Sequence, residues 1–566
     1  MNENKRILIA GGVAAGAGAA ARSRRLDENA EIIMFEKGPD VSFSNCCLPY
    51  HISGHVAKIN TLLMMDPVKF WNQYRIIAKT NHEVTKINPE EKTIVVFNSE
   101  TNEEKIEHYD ELILATGARA KKLEIDGLEN MPSFFLKNVF DLRQIMNHIN
   151  IEKPSHMTII GGGYIGIEVA ENLKEAGIEV TIVEYSNQVL APIDFDMVQI
   201  VHKELLDQGI DLRLNSKITK IEQGKIIING DEELETNGII VAAGIVPNTE
   251  FAIKSGVKAT DKNFIVVDEK FRTNLDHVYA VGDIIEVTDI LGERKPISLA
   301  GLANKQGRFV ADVIYGKEII NRKAIGSSVV KAFDVTAAAT GYNEKYLMSK
   351  GIAYDKVIIM PKTAVGIMPE ARSLYLKVLW DKNTHLILGA QALSKGYGAE
   401  KRIDIIGVFI KHDIPVQDLI DVEPCYAPPY ATGKDAVNFA GYVARNIINR
   451  DFKQVTFDKT KELLDDGQVV IDTREPDEYE QGHVEGTVNI PMSQFRDRLS
   501  EVPKDKPVYL HCRSGQRSYN TCLYLQSLGY ENVYNIAGSF ALMSNYYDTL
   551  TRLYGEENIL TNPIFD

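Results

Sequence analysis

Basic residues are scarce relative to acidic ones in this chain of 566 residues: 63 Lys and Arg stand against 78 Asp and Glu, for a formal net charge of −15. Phosphate backbones bind to basic surfaces, so we expect no nucleic-acid partner. Five cysteines are too few for a disulfide framework and indicate a reducing, cytoplasmic setting. No stretch reaches the roughly 18 consecutive apolar residues of a membrane span, so we expect no membrane association. The length predicts three or four domains.

The N-terminal segment has the outline of a secretory signal, with Lys5 and Arg6 before the apolar run ILIAGGVAAGAGAAA. Glycines interrupt that run, and the chain continues into RSRRLDE and then into a second apolar stretch, residues 31–35. A buried strand that turns through glycines into a helix fits these features better than a signal. We therefore expect this segment to be part of the fold.

The first 36 residues follow a strand–turn–helix–strand pattern that is typical of a dinucleotide-binding unit. Gly11, Gly12 and Gly16 let the chain turn tightly and let a pyrophosphate approach the start of the helix. Glu36, at the end of the second strand, can accept hydrogen bonds from a ribose. The motif is imperfect, because a valine fills the second glycine position of G-x-G-x-x-G.

A second unit, MTIIGGGYIGIEVAENLKEAGIEVTIVE, has the complete pattern of Gly161, Gly163 and Gly166 before a helix and a strand that ends at Glu184. An acidic residue there, followed by Tyr185 and no arginine, favours NADH because a carboxylate repels the 2′-phosphate of NADPH. NADPH stays open as an alternative. Two such units in one chain indicate two nucleotide sites rather than a repeat without ligands.

Three further apolar segments end in small or acidic residues: 111–120, 239–249 and the strand that ends at Asp283. Together with the glycine units, and in this order, they resemble the flavoprotein disulfide reductases with two dinucleotide folds, over residues 1 to about 450. The resemblance implies an α/β fold in which a FAD domain and an NAD(P)H domain, both Rossmann-like, precede an α+β dimerisation domain. It therefore also implies a homodimer.

The resemblance assigns residues and boundaries to these domains. The residues implied for FAD are Gly11, Gly12, Ala15, Gly16, Glu36, Lys37, Ala115, Thr116, Gly117 and Asp283. The residues implied for the nicotinamide nucleotide are Gly161, Gly163, Tyr164, Ile165, Gly166, Glu184 and Gly244. The implied boundaries are 1–120 with 268–325 for FAD, 121–267 for NAD(P)H and 326–450 for dimerisation.

The segment SFSNCCLPY places Cys46 beside Cys47, and a disulfide between adjacent residues would be strained. A single redox cysteine must then alternate between a thiolate and a mixed disulfide or a persulfide. The pattern S-F-x-x-C-x-L-P-Y resembles the coenzyme A disulfide reductase branch of this family, which implies that Cys46 is the redox thiol. The residues implied to bind the pantetheine arm and the phosphates of coenzyme A are Ser42, Asn45, Arg22, Arg25 and Lys69.

The same branch places tyrosines of the partner subunit near the redox thiol. The segment CYAPPY supplies Tyr426 as one of them, but Met368 in the segment GIMP stands where the other is expected. A missing phenol removes a hydrogen-bond donor for a leaving thiolate, which favours reduction of a persulfide over reduction of a disulfide. Cys425, beside Tyr426, is expected to be a small structural residue.

After residue 450 a new α/β pattern begins, and its segments DTREPDEYEQGH and HCRSGQR resemble a rhodanese domain over residues 455–555. Cys512 ends a strand before the loop of Arg513, Ser514, Gly515, Gln516 and Arg517, whose backbone N–H groups and following helix favour an anion. The rival interpretation, a cysteine phosphatase, needs C-x5-R, whereas this loop is C-x4-R and suits a sulfane sulfur better. The remaining expectations are that Asp472 and Arg474 brace the loop and that Cys522 lies in the core.

The combined hypothesis is a reductase that uses FAD and NAD(P)H to reduce coenzyme A persulfide, polysulfide or similar sulfane sulfur through Cys46. Cys512 would hold or deliver the sulfur. The chain resembles a coenzyme A persulfide reductase with a C-terminal rhodanese domain. We predict no metal site. The alternatives are a coenzyme A disulfide reductase, an NADH oxidase or peroxidase in which Cys46 cycles through a sulfenate, and a redox-sensing or sulfur-carrier scaffold.

Overall fold

The computed structural model describes residues 4–565, which group into two compact units. The first unit holds the chain up to Tyr185 together with Asn215–Ala324. The second unit holds Ser186–Leu214 together with the chain from Ile325 onward. Within the described residues, no helix is long and apolar enough to cross a membrane.

The first part of the first unit contains eight strands and three helices. The strands are β1 (Arg6–Ala10), β2 (Glu31–Phe35), β3 (Ile77–Lys79), β4 (His82–Asn88), β5 (Thr93–Asn98), β6 (Glu103–His108), β7 (Glu111–Leu114) and β8 (Ala118–Ala120). The helices are α1 (Ala14–Leu26), α2 (Pro49–Ile52) and α3 (Pro67–Tyr74).

The chain then forms a second nucleotide-binding pattern and returns to the first sheet. The next strands are β9 (Ser133–Phe134), β10 (His156–Ile160), β11 (Glu179–Val183), β12 (Asp211–Arg213), β13 (Ile218–Glu222), β14 (Lys225–Ile228), β15 (Glu232–Glu235), β16 (Ile239–Val241), β17 (Ile245–Pro247), β18 (Val278–Ala280), β19 (Val287–Thr288) and β20 (Arg294–Lys295). The helices are α4 (Val139–Glu152), α5 (Tyr164–Glu175), α6 (Phe195–Asp207), α7 (Glu250–Lys254) and α8 (Ala300–Ile314). Of these elements, α6 and β12 belong to the second unit.

Two parallel sheets organise the first unit. One has the order β18-β7-β1-β2-β3, and in the other β10 pairs with both β11 and β16. β1 and β2 are buried at every position after the first, as expected for parallel strands covered on both faces. Helix α1 is rich in alanine and glycine because α8 packs directly against it: a Cβ at Gly307 would lie 2.2 Å from the carbonyl oxygen of Ala15.

The second unit begins with an antiparallel sheet of order β21-β22-β25-β24-β23, with α10 packed on β22 and β25. Its strands are β21 (Ser328–Ala332), β22 (Val335–Gly341), β23 (Tyr354–Ile359), β24 (Leu374–Asp381) and β25 (Ile387–Lys395). Its helices are α9 (Glu344–Ser349), α10 (Ala399–Lys411) and α11 (Ala436–Ile448).

A buried lysine holds this sheet to the start of α6. The ammonium group of Lys377 on β24 lies 2.9 Å from Asp194 and 2.8 Å from Asp196, and it also contacts Glu344 on α9. The three carboxylates are close enough together to suggest a cation site, and the Lys377 ammonium occupies that place. Burial alone would lower the pKa of Lys377, but the three carboxylates raise it above its ordinary value.

The C-terminal part is a parallel sheet of order β26-β30-β29-β27-β28 with helices around it. The strands are β26 (Lys453–Thr456), β27 (Val469–Asp472), β28 (Val488–Asn489), β29 (Val508–His511) and β30 (Val533–Ala537). The helices are α12 (Thr460–Asp465), α13 (Pro476–Gln481), α14 (Gln516–Ser527) and α15 (Ser539–Tyr554).

Helix α15 also contacts α6 and the segment before it. The guanidinium of Arg552 lies 2.7 Å from the carboxylate of Asp207, and the hydroxyl of Tyr554 donates a hydrogen bond to the Asn187 carbonyl at 2.7 Å. Residues 186–214, which the sequence assigned to the NAD(P)H domain, are therefore packed within the second unit.

Candidate functional site

The first glycine turn is shaped by two close backbone approaches. Gly11 has a φ of +107°, and a Cβ there would lie 2.1 Å from the carbonyl oxygen of Ala115. A Cβ at Gly16 would lie 1.9 Å from the carbonyl oxygen of Gly11. Only glycine fits either place, so the turn brings the start of α1 against the ends of β1 and β7.

The carboxylate of Glu36 closes the same turn. It accepts hydrogen bonds from the backbone N–H of Gly12 at 2.8 Å and from that of Gly38 at 3.0 Å. Burial raises the pKa of Glu36, and these backbone donors act against that shift. The predicted ribose acceptor is thus held in place by the glycine loop itself.

The second glycine turn repeats this geometry. Gly161 has a φ of +106° with a Cβ position 2.7 Å from the Ala242 carbonyl oxygen, and the Cβ position of Gly166 is 2.0 Å from the Gly161 carbonyl oxygen. The Gly162 N–H donates to the Glu184 carboxylate at 2.7 Å. A Cβ at Gly163, by contrast, would meet no atom of the described chain within 4 Å.

These two turns fit the two dinucleotides that the sequence predicts. Each places a glycine loop and a following helix N-terminus beside an acidic strand end, which is the cradle that a pyrophosphate and a ribose require. The open face at Gly163 is where a phosphate group can approach the backbone, with Tyr164 and Ile165 opening α5 directly behind it. Gly244, with a φ of +97°, follows β16.

Other predicted FAD residues are held by neighbours in the first unit. Thr116 stands between Ala115 and Gly117 in the chain, and its hydroxyl donates a hydrogen bond to the Asn248 carbonyl at 2.7 Å. Asp283 follows β18, with the ammonium of Lys137 3.6 Å from its carboxylate. Lys37 forms an exposed ion pair with Glu83 at 2.7 Å, and Ala15 is buried against α8.

Cys46 lies on the short 3-10 turn Asn45–Cys47, just before α2. Its side chain is exposed, that of Cys47 is half-buried, and both thiols are free. The Asn45 amide donates to the Lys137 carbonyl at 3.2 Å. The backbone N–H of Ser42 donates to the Gly12 carbonyl at 2.8 Å, so the thiol segment is tied to the first glycine turn.

The charges around Cys46 oppose one another. Although Cys46 is exposed at the surface, partial desolvation of its sulfur by neighbouring atoms raises the pKa of the thiol, the Glu168 carboxylate raises it further, and Lys137 lowers it. Burial in turn raises the pKa of Glu168 to about 7, with the Tyr50 hydroxyl 3.5 Å from the Glu168 carboxylate. Glu168, Lys137 and Tyr50 are not among the site residues that the sequence predicts. Two sequence features could have indicated Tyr50 and Glu168. Tyr50 is the last residue of the CLPY segment, and Glu168 lies two residues beyond the last glycine of the second turn.

The predicted phosphate-binding cations have different surroundings. Arg22 binds the carboxylate of Asp312 on α8 through two nitrogens at 2.8 and 2.5 Å. Arg25 is exposed, and Lys69 forms a loose, exposed pair with Asp66 at 3.7 Å. Arg22 therefore ties α1 to α8, while its role toward coenzyme A stays a prediction.

In the second unit, Tyr426 is 56% exposed and Met368 lies in a tight turn, where its N–H donates to the Val365 carbonyl at 2.8 Å. The neighbouring Cys425 is exposed. The expectation that Cys425 is a packed structural residue is therefore wrong for the single chain, because its side chain faces outward from an irregular segment rather than into a core.

The loop after β29 encloses Cys512, which the sequence predicts to be the second reactive cysteine. Cys512 is fully buried, and its sulfur accepts hydrogen bonds from the Gly515 N–H at 3.1 Å and the Ser518 hydroxyl at 3.6 Å. Gly515 has a φ of +93° and precedes Gln516, the first residue of α14. The loop thus places two neutral donors at the sulfur atom, and the Arg517 side chain also interacts with it. Cys522 is fully buried, and burial raises its pKa far above the ordinary value, as expected for a core residue.

Two arginines near this loop are fully engaged. Arg517 binds both oxygens of Glu478 with both terminal nitrogens, at 2.5 and 2.8 Å. This hydrogen-bonded pair lowers the pKa of Glu478. Arg474 binds Asp472 at 2.7 Å and packs on the ring of Phe540, while the prediction that Asp472 and Arg474 brace the loop stays a prediction.

Comparisons with known families cover most of the chain. The family described as "Pyridine nucleotide-disulphide oxidoreductase" matches residues 5–307, its dimerisation domain matches residues 327–436, and the rhodanese-like domain matches residues 456–545. Coenzyme A disulfide reductase of Staphylococcus aureus is 36% identical over 445 residues, which is 78% of this chain and 100% of that protein.

Two solved structures match nearly the whole chain. Reduced Bacillus anthracis CoADR-RHD is 40% identical, covers 97% of this chain and 99% of its own, and superposes with a TM-score of 0.93. An NAD-dependent persulfide reductase from A. fulgidus is 31% identical, with 95% and 99% coverage and a TM-score of 0.90. A water-forming NADH oxidase from Lactobacillus brevis, 23% identical with a TM-score of 0.75 over 79% of this chain, shares the fold.

These matches confirm the predicted fold class and the resemblance drawn from the motifs. FAD and NAD(H) are the cofactors that the family implies, and the two glycine turns have the geometry to hold them. The chain is an oxidoreductase that belongs to the pyridine nucleotide-disulphide oxidoreductase family, with a dimerisation domain and a C-terminal rhodanese domain.

Proposed function

We propose that this protein uses NADH to reduce coenzyme A persulfide and related sulfane sulfur through the single thiol of Cys46. The observation that carries the proposal is the exposed, free Cys46 on a turn tied to the first glycine loop. Its neighbour Cys47 is also free, so the adjacent pair is not a redox disulfide in this structure. A homodimer, with Tyr426 of one subunit near Cys46 of the other, completes the proposal.

In the proposed reaction the Cys46 thiolate attacks the sulfur–sulfur bond of the persulfide CoA–S–SH. A mixed disulfide between Cys46 and coenzyme A forms, and hydrosulfide leaves. When bound at the two glycine turns, FAD and NADH would supply the two electrons that return Cys46 to the thiolate and release the coenzyme A thiol. The sum is CoA–S–SH + NADH + H⁺ → CoA–SH + H₂S + NAD⁺.

The chain's own residues have separate parts in this proposal. The glycine turn with Glu36, joined by Asp283, would hold FAD, and the turn with Glu184 would hold NADH. Ser42 and Asn45 would contact the pantetheine arm. Cys512, whose sulfur accepts hydrogen bonds from Gly515 and Ser518, would carry sulfur to or from coenzyme A.

The decisive experiment measures NADH consumption by the holoenzyme with coenzyme A persulfide, coenzyme A disulfide, polysulfide, oxygen or peroxide. Cys46→Ser should lose about a thousandfold or more in persulfide turnover, because the attacking sulfur is gone. Cys47→Ser is the matched control and should keep its activity. Persulfide turnover that survives in Cys46→Ser would sink the proposal, and equal loss in Cys47→Ser would restore a paired-thiol mechanism.

Reduction of coenzyme A disulfide is the second candidate, because the Staphylococcus aureus relative with that name aligns over 445 residues. The residue that distinguishes the two is Met368, where a phenol would protonate a leaving thiolate. Met368→Tyr should raise the ratio of disulfide to persulfide turnover about tenfold, the effect of one added hydrogen bond to a charged group. A parent enzyme that already prefers the disulfide would establish the second candidate.

A further inference from the structure

Arg517, the second arginine of the Cys512 loop, is paired with another residue of the same domain. Both terminal nitrogens of Arg517 bind both oxygens of Glu478 on α13, at 2.5 and 2.8 Å. A guanidinium recognises an oxyanion by presenting this same pair of N–H groups. In the described loop, therefore, the fork that would grip a sulfonate or phosphate oxygen is already filled by a carboxylate.

Another arginine, beside the loop, is committed as well. Arg474 is fully buried, binds the Asp472 carboxylate at 2.7 Å and donates to the Gly482 carbonyl at 2.8 Å. The Cys512 sulfur accepts hydrogen bonds from the Gly515 N–H and the Ser518 hydroxyl, and the Arg517 side chain also interacts with it. Cys512 is also fully buried, so the donor's reacting end must be slender.

We propose that Glu478 is a specificity-determining residue, which makes the Cys512 site accept sulfur from persulfides and polysulfide chains and reject oxyanion donors such as thiosulfate. This inference rests on the proposed function, in which Cys512 carries sulfur. The Glu478 carboxylate occupies the Arg517 fork, and its charge cancels the attraction that a doubly charged oxyanion needs. A persulfide brings a bare sulfur end with no oxygen atoms, so it does not need the fork.

The transfer step balances without another reactant. The Cys512 thiolate attacks the outer sulfur of R–S–SH, the donor's sulfur–sulfur bond breaks, and a new one forms in Cys512–S–S⁻. The leaving thiolate keeps the donor's proton and departs as R–SH. Thiosulfate would instead leave sulfite, and the Arg517 fork that could bind its oxygens is already filled by Glu478.

The test measures sulfur loading on Cys512 of the reduced full-length protein with coenzyme A persulfide or with thiosulfate. Rapid trapping followed by mass spectrometry of the Cys512 peptide reports the mass gain of one sulfur atom. In the parent, persulfide should load Cys512 about tenfold or more faster than thiosulfate. Glu478→Gln should raise the thiosulfate rate about tenfold, since it frees a charged hydrogen-bonding group.

A matched control is available in the same domain. Arg498 and Glu501 form an exposed pair of the same bidentate kind, at 2.6 and 2.7 Å. Glu501→Gln should leave both loading rates unchanged. In the double variant Arg517→Gln/Glu478→Gln the gain with thiosulfate should vanish, because the guanidinium that Glu478→Gln releases is no longer present.

The outcomes separate the two hypotheses. Equal loading of the parent by thiosulfate and persulfide overturns this inference while leaving the proposed function in place. A folded Glu478→Gln protein with an unchanged ratio also overturns it. If that variant does not fold, the test uses the parent protein with added sulfate, and the rate at which persulfide loads Cys512 is measured. A lower loading rate in sulfate overturns the inference, and an unchanged rate supports it. If no donor loads Cys512, the proposed role of Cys512 fails along with the inference.

Discussion

Partial desolvation of the sulfur is the largest factor that disfavours ionisation of the Cys46 thiol, and the negative charge of Glu168 is the second largest. With a pKa of about 7, this carboxyl gains its charge near neutral pH, and its ionisation then makes the Cys46 thiolate less favourable. Raising the pH therefore has two opposite effects on Cys46. It removes the thiol proton, and it charges the neighbour that disfavours the thiolate.

Glu168→Gln should make Cys46 more reactive at neutral pH, because the repelling charge is removed. We expect iodoacetamide to alkylate Cys46 about two- to fivefold faster at neutral pH, with the rate–pH profile moved to lower pH. Glu175→Gln, on the same helix and paired with the exposed His55, is the control and should leave the profile in place. A profile that does not move in Glu168→Gln would mean that this carboxyl does not influence the thiol.

At the scale of elements, the two glycines of the second turn should respond differently to the same added methyl group. Gly166→Ala places a Cβ 2.0 Å from the Gly161 carbonyl oxygen and must push α5 away from β10, so the protein should lose thermal stability. Gly163→Ala meets no atom of the described chain within 4 Å. It should keep the melting temperature and raise KM for NADH about tenfold, about 1.4 kcal/mol of binding.

Melting curves and NADH kinetics of the two variants check this pair. An unchanged KM in Gly163→Ala would show that the nucleotide does not approach the backbone there. A stable Gly166→Ala protein would show that α5 can move aside at little cost.

The Lys377 cluster should contribute to the stability of the second unit, because one ammonium group neutralises carboxylates from α9 and from the start of α6. Lys377→Met leaves those buried charges unpaired and should destabilise the second unit by about 3–5 kcal/mol. Hydrogen exchange along β24 measures the loss locally. Lys382→Met, which breaks only the half-exposed pair with Asp355 at 3.3 Å, is the control and should have little effect.

The same cluster should make the second unit sensitive to acid. Burial alone would raise the pKa of Glu344, but Lys377 and Lys356 lower it to about 2. The stability from this ionised carboxylate is therefore complete above the ordinary carboxyl range, near pH 4.5, and is lost as the pH falls toward about 2. In Lys377→Met the loss should begin at a higher pH, which unfolding curves at several pH values would reveal.

At the scale of the whole molecule, motifs with fixed local spacing were sufficient to predict the fold class. The glycine turns depend on φ and on close backbone contacts within one strand–turn–helix unit, which is why Gly11 and Gly161 could be identified from sequence. The loop around Cys512 is local for the same reason. Cys46 and Cys512 could likewise be proposed as reactive because each stands in a short characteristic segment.

The charge partners could not be predicted, because they join residues that are distant in the chain. Asp312 binds Arg22 from 290 residues away, and Glu478 occupies Arg517 from 39 residues away. A sequence shows that an arginine is present but not which carboxylate reaches it first. Glu168 could not be predicted as a neighbour of Cys46 for the same reason. It approaches the thiol segment only because α2 packs against α5 in the folded chain.

Removing the C-terminal domain should damage more than sulfur handling. A chain ending at Arg450 loses α15, which pairs Arg552 with Asp207 and packs Tyr546 against the Phe195 ring of α6 at 6.3 Å. We expect a melting temperature several degrees lower and faster hydrogen exchange in α6. Full-length Cys512→Ser, which keeps α15, should show neither change, and a truncated chain with an unaltered α6 would contradict the prediction.

The contact between α15 and α6 makes the rhodanese domain part of the packing of the second unit. A rhodanese module joined only by a flexible tether could be gained, lost or exchanged between genes without consequence for its host. Here α15, the last helix of the module, packs on α6, and the residues that pair across this contact, Arg552 and Asp207, are 345 residues apart in the chain. A module exchanged from another gene would therefore need a last helix whose surface fits α6. Loss of the module by a late stop codon would likewise be selected against as a folding defect, even in a cell that has no use for its sulfur chemistry.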